Sequence, residues 1–309
     1  MDIKHYSLSA MTCGLFFALF HFPAVADNKN TSSSLLPFFS ELAEGYNLPA
    51  PYGVGVNHMA IRQGIQVDSI RFSGMKLGRL PVDGLVDIRV GRTRQKSHTE
   101  TLRLDAWVLP FMNVYGVAGR TKGHSVSDVS IRPPVFTGGA FPSGKTQDLN
   151  FRLNYKGNTY GAGIALAGGM NNMFMSLDAN YTQTRFDVLD GHINAMTLTP
   201  RVGYRFSLPE TAYFPAGSLS IWVGSMYQDV QQDFRGKLSR LSLPSPALQL
   251  WLKRVDKNGD ARFEVRQHLK HPWNVMTGMR YDVTRHASLT AEVGFETRKS
   301  IFVSGEYRF

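Results

Sequence analysis

Cysteine is almost absent: the 309-residue chain holds one, Cys13. A single thiol excludes a disulfide-stapled scaffold and any zinc site built on cysteines. Long apolar runs are missing too. Beyond residue 26 no stretch approaches the ~18 consecutive apolar residues of a helical membrane span. Acidic residues are in short supply, with 24 Asp+Glu against 34 Lys+Arg and a formal net charge of +10. The chain is nevertheless not a disordered polyelectrolyte, because 43% of it is hydrophobic and 12% aromatic, a composition that can bury a core. Its length suits one large all-β domain or two ordinary ones.

The first 26 residues read as a secretory signal peptide. Lys4 and His5 lie in a polar start, an apolar stretch runs from Ala10 to Phe22, and the small-x-small site Ala24-Val25-Ala26 follows. That apolar run is too short to cross a bilayer. Cleavage is expected before Asp27. A lipoprotein needs its cysteine at the end of the apolar run, whereas Cys13 stands near the beginning, so lipidation is not expected and the mature chain is cysteine-free.

The remainder alternates with period two over stretches of about ten residues, the mark of strands with one apolar face. Leu149, Phe151, Leu153 and Tyr155 alternate with Asn150, Arg152, Asn154 and Lys156. Gly157-Asn158 then reads as a hairpin turn, after which Tyr160, Ala162, Ile164 and Leu166 alternate with small residues. The pattern recurs over Met173–Tyr181, Met196–Phe206, Val275–Tyr281, Ala287–Phe295 and Ile301–Phe309, and earlier over Leu102–Val108. A soluble β-sandwich alternates as well. The aromatics that begin or end the apolar faces (Tyr155, Tyr160, Tyr181, Phe206, Trp273, Tyr281, Tyr307, Phe309) favour the girdles of a membrane barrel. The opposite faces carry more charge than a sandwich interior holds.

The last residues, Phe302-Val303-Ser304-Gly305-Glu306-Tyr307-Arg308-Phe309, resemble the terminal strand of Gram-negative outer-membrane β-barrels. In that class a final Phe follows aromatic or apolar residues at alternate positions, and Val303, Tyr307 and Phe309 match. The resemblance implies that these three residues form a signal for the barrel-assembly machinery. The expected fold is therefore all-β: a transmembrane antiparallel up-and-down β-barrel of about 12 strands over residues 51–309, located in the outer membrane. Residues 27–50 are expected to be a periplasmic or amphipathic leader, and long loops are expected near 120–147 and 230–272. Within the latter, residues 261–266 (ARFEVR) are a candidate strand; without it, the sidedness of the upstream connections reverses.

Little in the sequence suggests chemistry. Of the histidines beyond residue 26, none lies in a nucleophile motif. Asp187, Asp190 and His192 surround Asp190-Gly191, a turn signal. His268 and His271 lack a third ligand. No catalytic residue, metal or cofactor is expected. If the apolar faces meet lipid, the candidate lumen lining is Arg103, Asp105, Arg152, Lys156, Asp178, Arg201, Arg205, Arg280, Glu292, Glu296 and Glu306. A basic bias there would attract small anionic solutes. The leading expectation is a porin-like passive channel with an anion-biased lumen. The alternatives are a closed barrel serving as a surface-interaction or structural protein, and an outer-membrane lipid or lipopolysaccharide hydrolase. The net charge invites a nucleic-acid reading, against which a signal peptide and a membrane barrel both argue. Basic rim residues are expected instead to meet outer-membrane lipid and lipopolysaccharide phosphates.

Overall fold

The computed structural model describes residues 36–43, 48–77, 80–81, 83, 87–132, 147–187, 190–210, 217–240 and 246–309. The expected signal peptide lies outside them, and of the expected leader only residues 36–43 and 48–50 are described, with a single turn of 3₁₀-helix at Ser40–Ala43. The strands are β1 (Tyr52–Ser73), the two-residue pair β2 (Lys76–Leu77) and β3 (Leu80–Pro81), β4 (Asp87–Leu109), β5 (Met112–Arg132), β6 (Gln147–Met170), β7 (Met173–Phe186), β8 (Asp190–Leu208), β9 (Gly217–Lys237), β10 (Arg262–Leu269), β11 (Trp273–Asp282), β12 (Ala287–Gly294) and β13 (Lys299–Arg308). A helix α1 (Pro246–Val255) stands between β9 and β10.

All but the β2–β3 pair belong to one sheet of eleven antiparallel strands. It closes because β1 pairs with β4 along one edge and with β13 and β10 along the other. The ring is not uniform in height. We call the end at which Tyr52 and Phe309 exchange backbone hydrogen bonds the lower end. β10 and β11 run in the same direction along β9: Arg262–His268 pair with Lys237–Gln231, and Trp273–Asp282 with Tyr227–Ser218. The β12–β13 hairpin is wedged between β11 and β1 in the lower half, and above its turn β10 pairs directly with β1. The lower wall thus contains β1, β4–β9 and β11–β13, whereas the upper wall contains β1, β4–β9 and β10. The ring narrows from ten strands to eight, about the number at which a barrel's interior is just filled by side chains. Of residues 261–266, those from Arg262 on enter a strand, which continues to Leu269. Yet β10 and β11 share one descent, so the extra strand adds no crossing.

Several connections at the lower end are tight. Pro110-Phe111 joins β4 to β5, and Asn171-Asn172 joins β6 to β7, with Asn171 at φ 56°, a left-handed conformation that Asn tolerates in hairpin turns. At the upper end, β5 and β6 are separated by residues 133–146, outside the described set, and β9 and β10 by the segment carrying α1. The strands run well into both expected loops: β5 continues to Arg132, β9 to Lys237, and β10 starts at Arg262.

Side-chain burial reverses partway up the strands. In the lower half the apolar residues face outward: Leu104 is 59% exposed, Val223 58% and Val303 47%. This belt runs from Met173 to Tyr181 on β7, close to the ~9–11 residues with which a tilted strand crosses a bilayer. Exposed aromatics border it below (Tyr52, Tyr204, Phe206, Tyr307, Phe309) and above (Tyr160, Tyr181, Trp273, Phe295). In the upper half the apolar residues face inward. Leu153, Tyr155, Phe234, Leu238, Phe263 and Val265 form a buried cluster with Met75, Val255 and Ala261.

β6 shows why. It is one continuous strand, and Gly157-Asn158, expected as a turn, lies within it, paired with Thr121-Arg120 on one side and Phe186-Arg185 on the other. Its apolar residues are odd-numbered up to Tyr155 and even-numbered from Tyr160. The strand does not turn; its surroundings change from water outside to hydrocarbon outside. The same chain must present its apolar side inward in one medium and outward in the other.

Candidate functional site: the barrel interior

The lower lumen is occupied by charge. Asp105, with a side chain 0% exposed, accepts hydrogen bonds from Arg308 Nη2 at 2.7 Å and Asn113 Nδ2 at 2.6 Å. Arg103 donates to Asn113 Oδ1 at 2.9 Å, and its guanidinium lies 3.7 Å from the centre of the Tyr115 ring. The Tyr115 hydroxyl donates to Asp178 at 2.9 Å, reaching from β5 past β6 to β7. Arg201 grips Glu292 with two contacts, at 2.6 and 3.2 Å, and the indole of Trp222 donates to the same carboxylate at 3.0 Å. Arg280 bridges Asp282 at 2.7 Å and Glu306 at 3.3 Å, and Glu306 also pairs with Arg308. Removing charges from water is costly unless each is paired and hydrogen-bonded, and here every carboxylate but Asp178, which Tyr115 and Asn180 hydrogen-bond, faces a guanidinium. Glycine makes room for it: a Cβ on Gly278 would lie 2.7 Å from the Trp222 ring.

Seven of the candidate lining residues therefore meet inside: Arg103, Asp105, Asp178, Arg201, Arg280, Glu292 and Glu306. The inward network as a whole sets four guanidiniums (Arg103, Arg201, Arg280, Arg308) against five carboxylates (Asp105, Asp178, Asp282, Glu292, Glu306). The others lie elsewhere. Arg205 is exposed near the lower end, its backbone N–H bonded to Asn172. Glu296 is exposed in the turn between β12 and β13. Arg152 and Lys156 stand on the exterior, a correction that follows from the reversal above: Leu153 and Tyr155 between them take the interior. Val303, Tyr307 and Phe309 are exposed on the outer face of β13 and the residue after it, with the Phe309 ring 6.1 Å from Tyr52.

Above the charged layer, hydroxyls line the wall: Thr99, Thr121, Thr159 and Thr184 form a chain of hydrogen bonds from β4 to β7, at 2.9, 2.6 and 2.8 Å. Arg298, 1% exposed, points inward from the β12–β13 turn to the carbonyl of Pro272 at 3.1 Å and to Gln228. Asn274 holds that turn, accepting from the Thr297 and Arg298 backbone N–H groups. Next comes a layer of amides. Gln95 on β4 accepts from Gln63 at 3.0 Å and from Gln232 on β9 at 2.9 Å; Gln232 accepts from Gln267 at 2.7 Å, and Gln95 donates to the Tyr155 hydroxyl. β4 and β9 stand on opposite walls, so the Gln95–Gln232 bond crosses the lumen. Both residues are buried, at 3% and 1% exposure.

Over this layer lies the apolar cluster, where Phe186 stacks on Phe234 at 5.0 Å between ring centres and Tyr155 packs against both. Sequence reasoning passed over Asn113, Tyr115, Trp222, Gln95, Gln232 and Arg298. For Tyr115 a signal existed. The Pro110-Phe111 turn resets the alternation, and Met112, Val114 and Ala118 then give the lipid-facing phase.

His192 lies 3.7 Å from Asp233, Asp187 pairs with Arg120 at 2.7 Å, and His268 pairs with Asp68 at 2.7 Å. These are polar contacts of the outer surface.

No family model matches the chain, and no curated protein matches it. Solved structures do. The β-domain of the Bordetella autotransporter BrkA aligns with 83% of this chain and 100% of its own, at 10% identity and a TM-score of 0.40. The outer-membrane protein OprG of Pseudomonas aeruginosa aligns with 85% of this chain and 98% of its own, at 14% identity and a TM-score of 0.34. The Ralstonia pickettii toluene transporter TbuX aligns with 84% of this chain and 90% of its own, at 8% identity and a TM-score of 0.32. The chain is similar to these barrels in general class. Its own fold, a transmembrane antiparallel β-barrel, rests on the closed hydrogen-bonded ring and the exposed apolar belt.

Proposed function

We propose that this protein is a closed outer-membrane β-barrel that carries a rigid β-structured head above the membrane and works there as a surface-interaction or structural protein. The observation that carries this reading is the Gln95–Gln232 hydrogen bond across the lumen, roofed by the Phe234 cluster. A water-filled path would have to break that bond and expose buried aromatics. The tight lower turns fit the periplasmic side and the longer upper segments the cell exterior. On this reading the chain meets outer-membrane lipid over its belt, and the barrel-assembly machinery reads β13 through Val303, Tyr307 and Phe309.

The second reading is the porin-like passive channel for small anionic solutes. The charged lower lumen and exposed Arg205 favour it. The carboxylates that match the guanidiniums weaken any anion bias.

Conductance of the refolded chain in a planar bilayer tests the choice, with folding verified by a heat-dependent gel shift. The closed-barrel reading predicts no stable conductance steps. Stable steps with anion selectivity that Arg201→Glu reverses would overturn it in favour of the channel.

A further inference from the structure

The outer surface just above the lipid belt is unlike on its two sides. Over β8, β9 and β10 the charges are mixed and mutually engaged. Arg235 and Arg266 pair with Glu264 at 3.1 and 3.0 Å, Arg266 approaches Asp233 at 3.8 Å, and His192 approaches Asp233 at 3.7 Å. Although desolvation opposes it, the Arg266 hydrogen bond and the charges of Arg235 and Arg266 hold the Glu264 carboxyl below its usual range. This side is saturated by its own ion pairs.

Over β4, β5 and β6, in the three outward rows centred on Lys122, His124 and Val126, the charges are of one sign. Lys122 stands directly opposite Lys156 on one neighbouring strand and His98 on the other. Lys96 stands opposite His124 on β5 and Arg62 on β1. Arg94 and Arg152 flank Val126 in the row above. Lys96, Lys122, Arg152 and Lys156 are all exposed, and none forms an ion pair among the described residues. Of the acids at the margin, Asp187 takes Arg120 at 2.7 Å, Glu100 faces His58 at 3.7 Å and Asp148 accepts from the Ser130 hydroxyl, while exposed Asp128 stands one row above Arg152. Like charges directly opposite one another in a sheet are destabilising. Desolvation, together with the charges of Arg152, Lys96 and His98, pushes the His124 imidazole below its ordinary value. Such a wall is strained electrostatically unless a polyanion lies against it.

Its height identifies the polyanion. Lys122 follows the lipid-facing Ala118 by four residues, and Lys156 precedes the belt aromatic Tyr160 by four. At about 3.3 Å per residue along a tilted strand, these ammonium groups stand about 10 Å above the hydrocarbon edge, where the headgroups of the surrounding leaflet lie. We propose that the outer face of β4–β6 is a binding site for the phosphates of phosphorylated glycolipids in that leaflet, with Lys96, Lys122 and Lys156 as the principal contacts and Arg152 as a flanking one. Ammonium and guanidinium donors form strong charge-assisted bonds to phosphate oxygens. Arg152 donates Nε to Asn154 at 3.1 Å, which leaves its outer N–H groups for the ligand. The site rests on the membrane orientation proposed above but not on whether the lumen conducts.

The test uses the full chain folded in zwitterionic micelles and titrated with bis-phosphorylated lipid A. Binding is expected to weaken as salt rises. Exchanging Lys96, Lys122 and Lys156 together for Gln is expected to weaken it by at least about tenfold, whereas Arg235→Gln with Arg266→Gln on the opposite side leaves it within about twofold. Should the triple variant fail to give the folded gel band, Lys122→Gln alone replaces it. A second readout is the titration of His124 followed by NMR: bound phosphate is expected to raise its pKa towards the ordinary value. Equal affinity of the lysine variants, equal affinity for lipid A stripped of its phosphates, or an unmoved His124 would each overturn the proposal. So would tight binding of soluble inositol hexakisphosphate with no binding of lipid A, which would point away from a membrane source.

Discussion

On β6, Tyr155 and Ile164 belong to the same uninterrupted strand, yet Tyr155 is 5% exposed and Ile164 46%. β4 changes differently: Leu104 is 59% exposed below, whereas above it both faces are polar, with Gln95 buried at 3% and Lys96 and Arg94 exposed. The lower half is polar inside and apolar outside; the upper half is polar outside and holds an apolar cluster inside, above its amide layer. β6 pairs with both neighbours without a register shift. The difference teaches that a strand's two faces are assigned by the medium around it, and that one strand can cross from one assignment to the other where lipid gives way to water.

The comparison can be broken most severely from inside. Asp105→Ala removes the carboxylate shared by Arg308 and Arg103 in the lower half and should cost about 3–5 kcal/mol in urea unfolding from micelles, because Arg308 keeps only Glu306 and Arg103 keeps no carboxylate partner. Phe234→Ala should cost a similar ~3–5 kcal/mol for the opposite reason, an apolar void in the upper half. If either is silent, that half is not packed as described.

Exchanges on the outer face are the next test. Leu104→Lys places a charge in the lipid belt and should cost about 2–4 kcal/mol. Lys156→Leu, equally outward but above the belt, should change stability by only about 0.5 kcal/mol or less. Equal costs at both positions would erase the boundary between the halves.

The amide layer should show a smaller effect. Gln232→Ala leaves Gln95 and Gln267 short of a partner and should cost about 1–3 kcal/mol, measured as the same unfolding free energy. The smallest expected effect concerns acid. Desolvation and the neighbouring charges of Arg152, Lys96 and His98 hold the His124 imidazole below its ordinary value in the folded chain. Below that value the unfolded chain takes up the proton first, so this group's contribution to stability falls as pH falls. Unfolding curves over that range should be flatter in His124→Gln than in the parent.

The sequence made the barrel legible through its alternation, and the lower half of the lumen with it. Where lipid surrounds the strand, the rule that apolar residues face outward holds, and it locates Arg103, Asp105, Asp178, Arg201, Arg280, Glu292 and Glu306. The same rule misplaced Arg152 and Lys156, because alternation states only that two faces differ and not which is inside. The change of parity between Tyr155 and Tyr160 was visible, but Gly157 between them offered a turn as the simpler cause. The Gln95–Gln232 bond joins residues 137 apart across the lumen. It depends on strand register all the way round the ring, which no local pattern encodes.

The most direct test of the two-medium account is a single-cysteine scan along β6, made simple by a mature chain expected to lack cysteine. A spin label at each position from Asn150 to Gly168, in the chain folded into lipid vesicles, reports its collisions with oxygen and with a water-soluble nickel complex. The account predicts labels at Ala162, Ile164 and Leu166 accessible to oxygen, labels at Arg152, Asn154 and Lys156 accessible to nickel, and Leu153 and Tyr155 shielded from both. Oxygen-accessible labels at Leu153 and Tyr155, with Arg152 and Lys156 shielded, would contradict it.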